Sequence, residues 1–532
     1  MMRHVAMIEE FAGQVLAATA TALRLQVERF GRIRAAFEWN QIPLFYSGDT
    51  ATLYADSDGG ELRIPNSELR AGVQSGALGL RDLSAFLGPT FDLRQRRDVA
   101  AFASTASVTS TLDARFNVTS TRKHGAMPWG ASFGLSAANE VAAPIDHRTT
   151  DTGASLEWVH DQGTARVGWG GSWFNNSIET MVFDSPLRLT DSTNSSAYVA
   201  GNGTSQGRMS MWPDSTSQTL AASGSYILPG RSRVNGSVSI AEWRQDGDLL
   251  AHTINTAIPV IPLDRPTAEA AATIFAYNVN VTSRPNRFTW LNVRARRYDF
   301  NNRTPEFNAP RYVRIDQATG TFPLGRSEPF GYTRNFVDAD ASFNVLPFTA
   351  LKLGYGFERD NRQFRLFETT DEHIFRTALD TAGGRYLSVR LGYEHGRRTG
   401  TGLDEQVLDD IGEQVSLRQF DISNRTRDRV TALFQVTPID ALALIGTAHV
   451  GRDERPDTNF GLQRLSTNAY SFGIEAALAD GVGAGITYGY ENAGTYQKSR
   501  QANPGGQFFD PTRDWFTDVD ERVRYLVASV DV

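Results

Sequence analysis

Residues able to bind a metal, attack a carbonyl or cradle a phosphate occur along this chain, but their spacing does not assemble a site. The eight histidines (His4, His124, His147, His160, His252, His373, His395, His449) are scattered, with no H-E-x-x-H pair of the kind that holds catalytic zinc. His395 and His449 fall in strand-like segments, where no further ligand sits at a metal- or haem-binding spacing. Gly481-Val482-Gly483-Ala484-Gly485 mimics a phosphate loop. It opens a strand after a turn rather than a helix, so its glycines relieve crowding on a curved sheet. Asp246-Gly247-Asp248 and Asp518-Val519-Asp520-Glu521 lack the twelve-residue spacing of a calcium loop and read as solvated acids. The Asn-x-Ser/Thr triplets at Asn117, Asn175, Asn194, Asn202 and Asn235 read as by-products of polar strands and loops. With zero cysteines, disulfides, thiolate zinc, iron–sulfur clusters and covalently attached c-type haem are excluded on this chain. No catalytic, cofactor-binding or metal residue is assigned.

The informative charged residues are Arg294, Arg296, Lys352, Glu358, Arg390, Glu394 and Glu491. Each sits in a segment where polar and apolar residues alternate, and alternation is the signature of a strand with two different faces. Leu351, Leu353, Tyr355 and Phe357 oppose Lys352, Gly354, Gly356 and Glu358. Leu387, Val389, Leu391 and Tyr393 oppose Ser388, Arg390, Gly392 and Glu394. Phe275, Tyr277, Val279 and Val281 oppose Ala276, Asn278, Asn280 and Thr282, and Ile486, Tyr488 and Tyr490 oppose Thr487, Gly489 and Glu491. If the apolar face meets lipid, a Lys or Arg there would cost roughly 2–4 kcal/mol at mid-depth, so these charges belong on a lumen. Their mixed signs argue against strong ion selectivity. Ordinary solvation of an aqueous channel and contact with an enclosed polar macromolecule both fit them.

From about residue 23 onward one unit recurs: strand, tight turn, strand, long polar loop. Leu228-Pro229-Gly230, Arg284-Pro285-Asn286, Leu346-Pro347-Phe348, Thr437-Pro438-Ile439, Gly383-Gly384 and Asp480-Gly481 supply the turns. The other connections are long: 176–215, 247–269, 302–333, 398–426, 453–467 and 492–512. Short turns at one rim and long loops at the other are the pattern of outer-membrane barrels. Aromatics near strand ends (Phe174, Trp243, Tyr298, Phe300, Tyr393, Tyr490) stand where interfacial girdles belong. The expected fold is all-β: a large transmembrane antiparallel up-and-down β-barrel of roughly 19–20 strands, incomplete or open, occupying residues 23–532.

The 532 residues carry a net charge of −7, which argues against nucleic-acid binding. A mean hydropathy of −0.34 does not exclude a membrane protein, because only alternate strand residues need be apolar. Residues 1–22 make a poor signal peptide: Arg3 and His4 suit its basic start, but Glu9 and Glu10 interrupt the apolar stretch. The last residues stop inside an alternating segment, and both ends read as cut.

GAMPWGASFG at 125–134 is followed by EVAAPID at 140–146, and then by GSWFNN at 171–176, FDSPLR at 183–188, LPG at 228–230 and DWFTDVD at 514–520. In content and order these motifs resemble those of the MtrB/PioB family of decahaem-cytochrome-associated outer-membrane barrels, the first pair being similar to a glycine-rich family segment between early strands. The N-terminal C-x-x-C of some members is absent, and family barrels are longer, which implies that strands are missing from this chain. The resemblance implies a non-enzymatic scaffold in the bacterial outer membrane, in contact with outer-membrane lipid. Its lumen would hold a periplasmic multihaem c-type cytochrome that carries all the haem, and an extracellular cytochrome would meet the loop rim. The alternative is a porin for small solutes or ions.

Overall fold

The computed structural model describes residues 22–55, 59–132, 138–192, 204–308, 311–314, 318–321, 326–381, 386–410, 414–500 and 509–531. The N-terminal segment 1–21 and the Gly383-Gly384 turn lie outside them. In chain order the first strands are β1 (Ala22–Arg29), β2 (Ile33–Thr50), β3 (Glu61–Leu62), β4 (Phe91–Ser107), β5 (Leu112–Ser132), β6 (Ala138–His160), β7 (Gly163–Asn176), β8 (Thr180–Asp184), β9 (Gln206–Ser210) and β10 (Ser215–Leu228). There follow β11 (Ser232–Gln245), β12 (Ala270–Ser283), β13 (Thr289–Asn302), β14 (Arg311–Arg314), β15 (Ala318–Thr321), β16 (Tyr332–Leu346) and β17 (Thr349–Arg362). The last are β18 (Phe367–Thr381), β19 (Leu387–Leu403), β20 (Arg425–Ile439), β21 (Leu442–Glu454), β22 (Gly461–Ala479), β23 (Val482–Arg500) and β24 (Asp514–Asp531). Among the described residues, 19 of these strands share one sheet, as an all-β barrel wall requires. Two short helices, α1 (Ser67–Ser75) and α2 (Gln406–Asp410), lie in loops.

The chain divides into two compact units, 1–222 with 239–274 and 302–329, and 223–238 with 275–301 and 330–532. In the first, β1, β2, β4, β5, β6 and β7 pair in succession, always antiparallel. In the second, β13 pairs with β16, and β16 to β24 then follow as antiparallel neighbours. Antiparallel neighbours joined by two-residue turns need no crossover, so chain order becomes sheet order. Asp480-Gly481 makes such a turn, with Gly481 at φ +79°, a conformation that costs glycine little. Pro347 and Phe348 separate β16 from β17 in the same way.

Three expectations shift. Thr437-Pro438-Ile439 is not a turn: β20 continues through it to Ile439, and the chain reverses at Asp440 and Ala441. The β20–β21 register slips between Val436 and Ile439, so the proline, which cannot donate to the ladder, sits in the irregular stretch. Several loops are shorter than the sequence suggests, because β19 runs to Leu403, β21 to Glu454, β22 from Gly461 and β23 to Arg500. Strands of 13 to 23 residues outlast the ~9–11 needed to cross hydrocarbon, so their polar ends read as loop.

The third shift is a small packed cap in the first unit. The simple strand-and-loop repeat does not hold at 51–90, where Ser67–Ser75 is helical. Asn66 caps it, its side chain accepting from Glu68 N and Leu69 N at 3.0 and 3.1 Å, and Gly76 ends it at φ +79°. Leu69 and Val73, four apart on one helix face, are buried with Tyr54, Leu62, Met181, Phe183 and Met211 against Ala131, Val141 and Ala143 of β5 and β6.

Candidate functional site

The strand register sorts the side chains of the second unit into two faces. On one face lie Val337, Leu353, Tyr355, Phe375, Leu391, Tyr393, Val430, Phe434, Val450, Phe472, Ile486 and Tyr488, all exposed. Exposed apolar residues in such numbers on one face of a sheet mark a surface that meets lipid. The apolar positions Leu351 to Phe357 on β17 rise about 20 Å along the strand and roughly 16 Å along the membrane normal at a 40° tilt, about two thirds of the ~25 Å band of outer-membrane barrels. At the loop-side end of this band Tyr470 stacks on Tyr490, centroids 6.5 Å apart and planes 15° apart. Beyond it charge appears on the same face: Arg359 binds Asp371 through two hydrogen bonds of 2.6 and 2.7 Å, and His395 and Tyr393 both reach Asp428.

The opposite face is polar, and all seven charged candidates are placed on it by the register. Lys352 and Arg390, on β17 and β19, converge on Asp380 of the intervening β18, at 2.6 and 2.9 Å. Glu358 lies 3.4 Å from Arg334 on β16. Glu394 lies 3.9 Å from Arg429 on β20. Arg294 stands opposite Asp338 in the β13–β16 ladder. Arg296 lies over the Phe336 ring, 4.5 Å from its centroid. Glu491, on β23, pairs across to Ala469 and Val523. Only Lys352 and Arg390 meet through a shared partner. The others are spread along the wall.

Sequence reasoning missed much of this lattice. Arg376 reaches Asp338 and, at 3.4 Å, Asp340. Arg425 reaches Glu372 at 2.6 Å, and Arg427 reaches Asp453 at 3.2 Å. The signal was available: Glu372, Arg376 and Asp380 fall at even positions of β18, in phase with Lys352 and Glu358 once the register is known. Between the charges Gly354, Ala378 and Gly392 leave a shallow hollow of about 410 Å³ bordered by Lys352, Arg376, Glu394 and Arg429. Charge beside small residues makes a wall that is polar without protruding.

Some aromatics assigned to a girdle lie elsewhere. Tyr298 and Phe300 share the polar face with Arg294 and Arg296; Tyr298 stacks on Tyr332 at 5.5 Å, and Phe300 lies tilted against the same ring at 6.2 Å. Phe174 packs on His147, 5.1 Å away. Tyr393 and Tyr490 are on the apolar face as expected. His449, on the polar face, contacts Thr467 at 3.3 Å. No three His, Asp or Glu side chains among the described residues group to hold a metal.

The motifs with family resemblance carry the cap of the first unit. Asp184 of FDSPLR is 3% exposed. Its carboxylate receives Ile64 N at 2.9 Å and Gln206 Nε2 at 2.9 Å, with Arg70 Nη1 at 3.2 Å. Arg70 in turn donates to the carbonyls of Ser185, Arg188 and Ser205. Burial lowers the Arg70 guanidinium from its usual range, with Asp184 opposing the shift. Tyr54 donates to the Asp184 carbonyl at 2.8 Å, and burial pushes its phenol up to about 12. Asn175 and Asn176 of GSWFNN hold Asp214, and Asn176 also donates to the Ile178 and Trp212 carbonyls. The motif residues therefore close the base of the 177–214 loop.

A lipid-facing band, a polar face of paired charges and a folded cap in the loops define an outer-membrane β-barrel. The family model described as "outer membrane beta-barrel porin, MtrB/PioB" matches residues 7–531. The chain belongs to the MtrB/PioB family and resides in the outer membrane. It is 21% identical over 508 residues to "Outer membrane protein MtrB" of Shewanella baltica (strain OS185), covering 96% of this chain and 69% of that protein. Among solved structures, the pyoverdine-bound FpvA of P. aeruginosa gives a TM-score of 0.45 at 9% identity, over 96% of this chain and 63% of that one. The siderophore receptor PiuA of Acinetobacter baumannii gives 0.44 at 10%, over 96% and 74%. The chain thus spans less than two thirds of the FpvA chain, and likenesses of this degree carry no argument about function.

Proposed function

We propose that this protein is a non-enzymatic scaffold that encloses a periplasmic multihaem c-type cytochrome, so that electrons cross the outer membrane along the partner's haems. The observation that carries the reading is the polar wall. Its charges of both signs are tied to each other, as in the Lys352–Asp380–Arg390 and Arg376–Asp338–Asp340 groups, and small residues lie between them. Paired charges lower the cost of desolvating a wall against a protein, because each already has its partner. Glycine and alanine let the partner's backbone approach. The barrel supplies insulation from lipid, and the cysteine-free chain leaves covalent haem to the partner. An extracellular cytochrome at the loop rim belongs to the same reading.

The rival is an open porin, which needs the same apolar band and a solvated wall. Affinity purification of the tagged full-length protein from native outer membranes, followed by haem staining of the co-eluting chains, separates the two. A stoichiometric haem-stained partner supports the scaffold, and a haem-free preparation supports the porin.

A further inference from the structure

We propose that the loop-side end of β19–β21 holds a small inorganic anion of about the size of chloride, which fastens the 404–424 loop to the wall. The site is built by four guanidiniums and two carboxylates. Arg425 binds Glu372 at 2.6 Å and reaches Asp453 at 3.5 Å, while Arg427 lies 3.2 Å from Asp453. Among the described residues, Arg398 and Arg455 have no carboxylate of their own. Both turn to the same acceptor, the Phe420 carbonyl, at 3.0 and 3.4 Å, and Arg398 also holds the carbonyls of Asp421 and Ser423. Positive charge therefore exceeds negative charge in a buried place. Arg455 is 5% exposed, Arg398 9% and Ser423 1%.

Three buried donors in this network lack an acceptor among the described residues: Arg455 Nη1, Arg425 Nε and the Ser423 hydroxyl. Buried donors ordinarily find partners, and an unmet one costs about 1–3 kcal/mol, more when charged. An anion receiving N–H and O–H bonds would satisfy these donors and reduce the charge imbalance together. Their enclosure favours a compact ion over a phosphate or a carboxylate-bearing molecule. The neighbouring loop is well placed to report on it. Leu408 and Ile422 of that loop pack with Leu366 and Phe367 at the start of β18 in a small apolar core.

The inference is independent of what occupies the lumen. The test uses the full-length protein in detergent at neutral pH and matched ionic strength, in sodium chloride, bromide, gluconate or phosphate. Tryptic cleavage within 404–424, which contains Arg418, is followed by mass spectrometry. Chloride or bromide at ten times its dissociation constant should slow that cleavage about tenfold relative to gluconate, since bound ion draws the loop from its open form. Phosphate should give no protection. Arg455→Gln and the milder Ser423→Ala should lose the halide response, while Arg452→Gln, on the apolar face, should keep it. Equal cleavage in chloride and gluconate, protection by phosphate equal to chloride, or a full halide response in both Arg455→Gln and Ser423→Ala would overturn the proposal.

Discussion

Arg70 of α1 places Nη1 3.2 Å from Asp184 Oδ2 at the end of β8, and the two side chains are 9% and 5% exposed. A pair this buried is costly to leave half-made. Around it three further hydrogen bonds from Arg70, to the carbonyls of Ser185, Arg188 and Ser205, and one from Ile64 N to Asp184 tie α1 and the chain before it to the segments that flank β8 and β9. Substituting Asp184→Ala should destabilise the cap by about 3–5 kcal/mol, because it strands a guanidinium away from water. Proteolysis should then cut 51–90 and 177–214, while the folded sheet keeps its resistance to detergent unfolding on gels. A cap as protease-resistant as the parent's would show that the pair is dispensable.

Acid should loosen a second tie in the same unit. Burial alone would raise the Asp191 carboxyl, but hydrogen bonds from Thr256 and Ser205 outweigh it and hold the group at about 2. A depressed carboxyl adds stability that is present above its unfolded value near 4 and is lost as pH falls through about 2. Cleavage of the 246–269 loop by an acid-active protease should be constant down to pH ~4 and rise toward pH ~2. Asp191→Ala should show the faster cleavage already at pH 5. The same rise on acidification in Asp191→Ala would assign it to other groups.

Adjacent residues on β22 should respond unequally to charge. Phe472 is 44% exposed on the apolar face, and Ser471 turns to the other face, beside Thr447 at 2.6 Å. Phe472→Arg should cost about 2–4 kcal/mol in lipid, as charges at mid-depth do. Ser471→Arg should cost under about 1 kcal/mol, as polar-surface changes do. Denaturant unfolding in lipid vesicles measures both. Equal costs would mean that the faces are misassigned.

Much of this was legible in the sequence, and the reason is period two. Lys352 and Glu358 stand on the polar face and Leu351 and Phe357 on the other because one register places a whole strand at once. Pairing partners were not legible, since Lys352 meets Asp380 only through the β17–β18 register. Tyr298 and Phe300 misled because position near a strand end does not tell which face a ring takes. The cap was hidden for another reason. Arg70 and Asp184 are distant in sequence, and a nine-residue helix inside a polar loop gives little pattern of its own.

Asp380 joins two cations on the polar face, and both are well solvated, at 44% and 60% side-chain exposure. Asp380→Asn should therefore change stability by no more than about 1 kcal/mol. In a preparation stripped of partners it should shift the reversal potential toward anion preference. An unchanged reversal potential would place Lys352 and Arg390 away from any conducting path.

The central claim is that the polar wall surrounds a haem-bearing partner. Its most direct test is single-channel conductance in planar bilayers, paired with the Soret absorbance of the same full-length protein purified from native membranes. The account predicts strong haem absorbance at a fixed ratio to barrel, with conductance near zero until the partner is stripped. An open, stable pore with no haem absorbance would contradict it and leave the protein a porin.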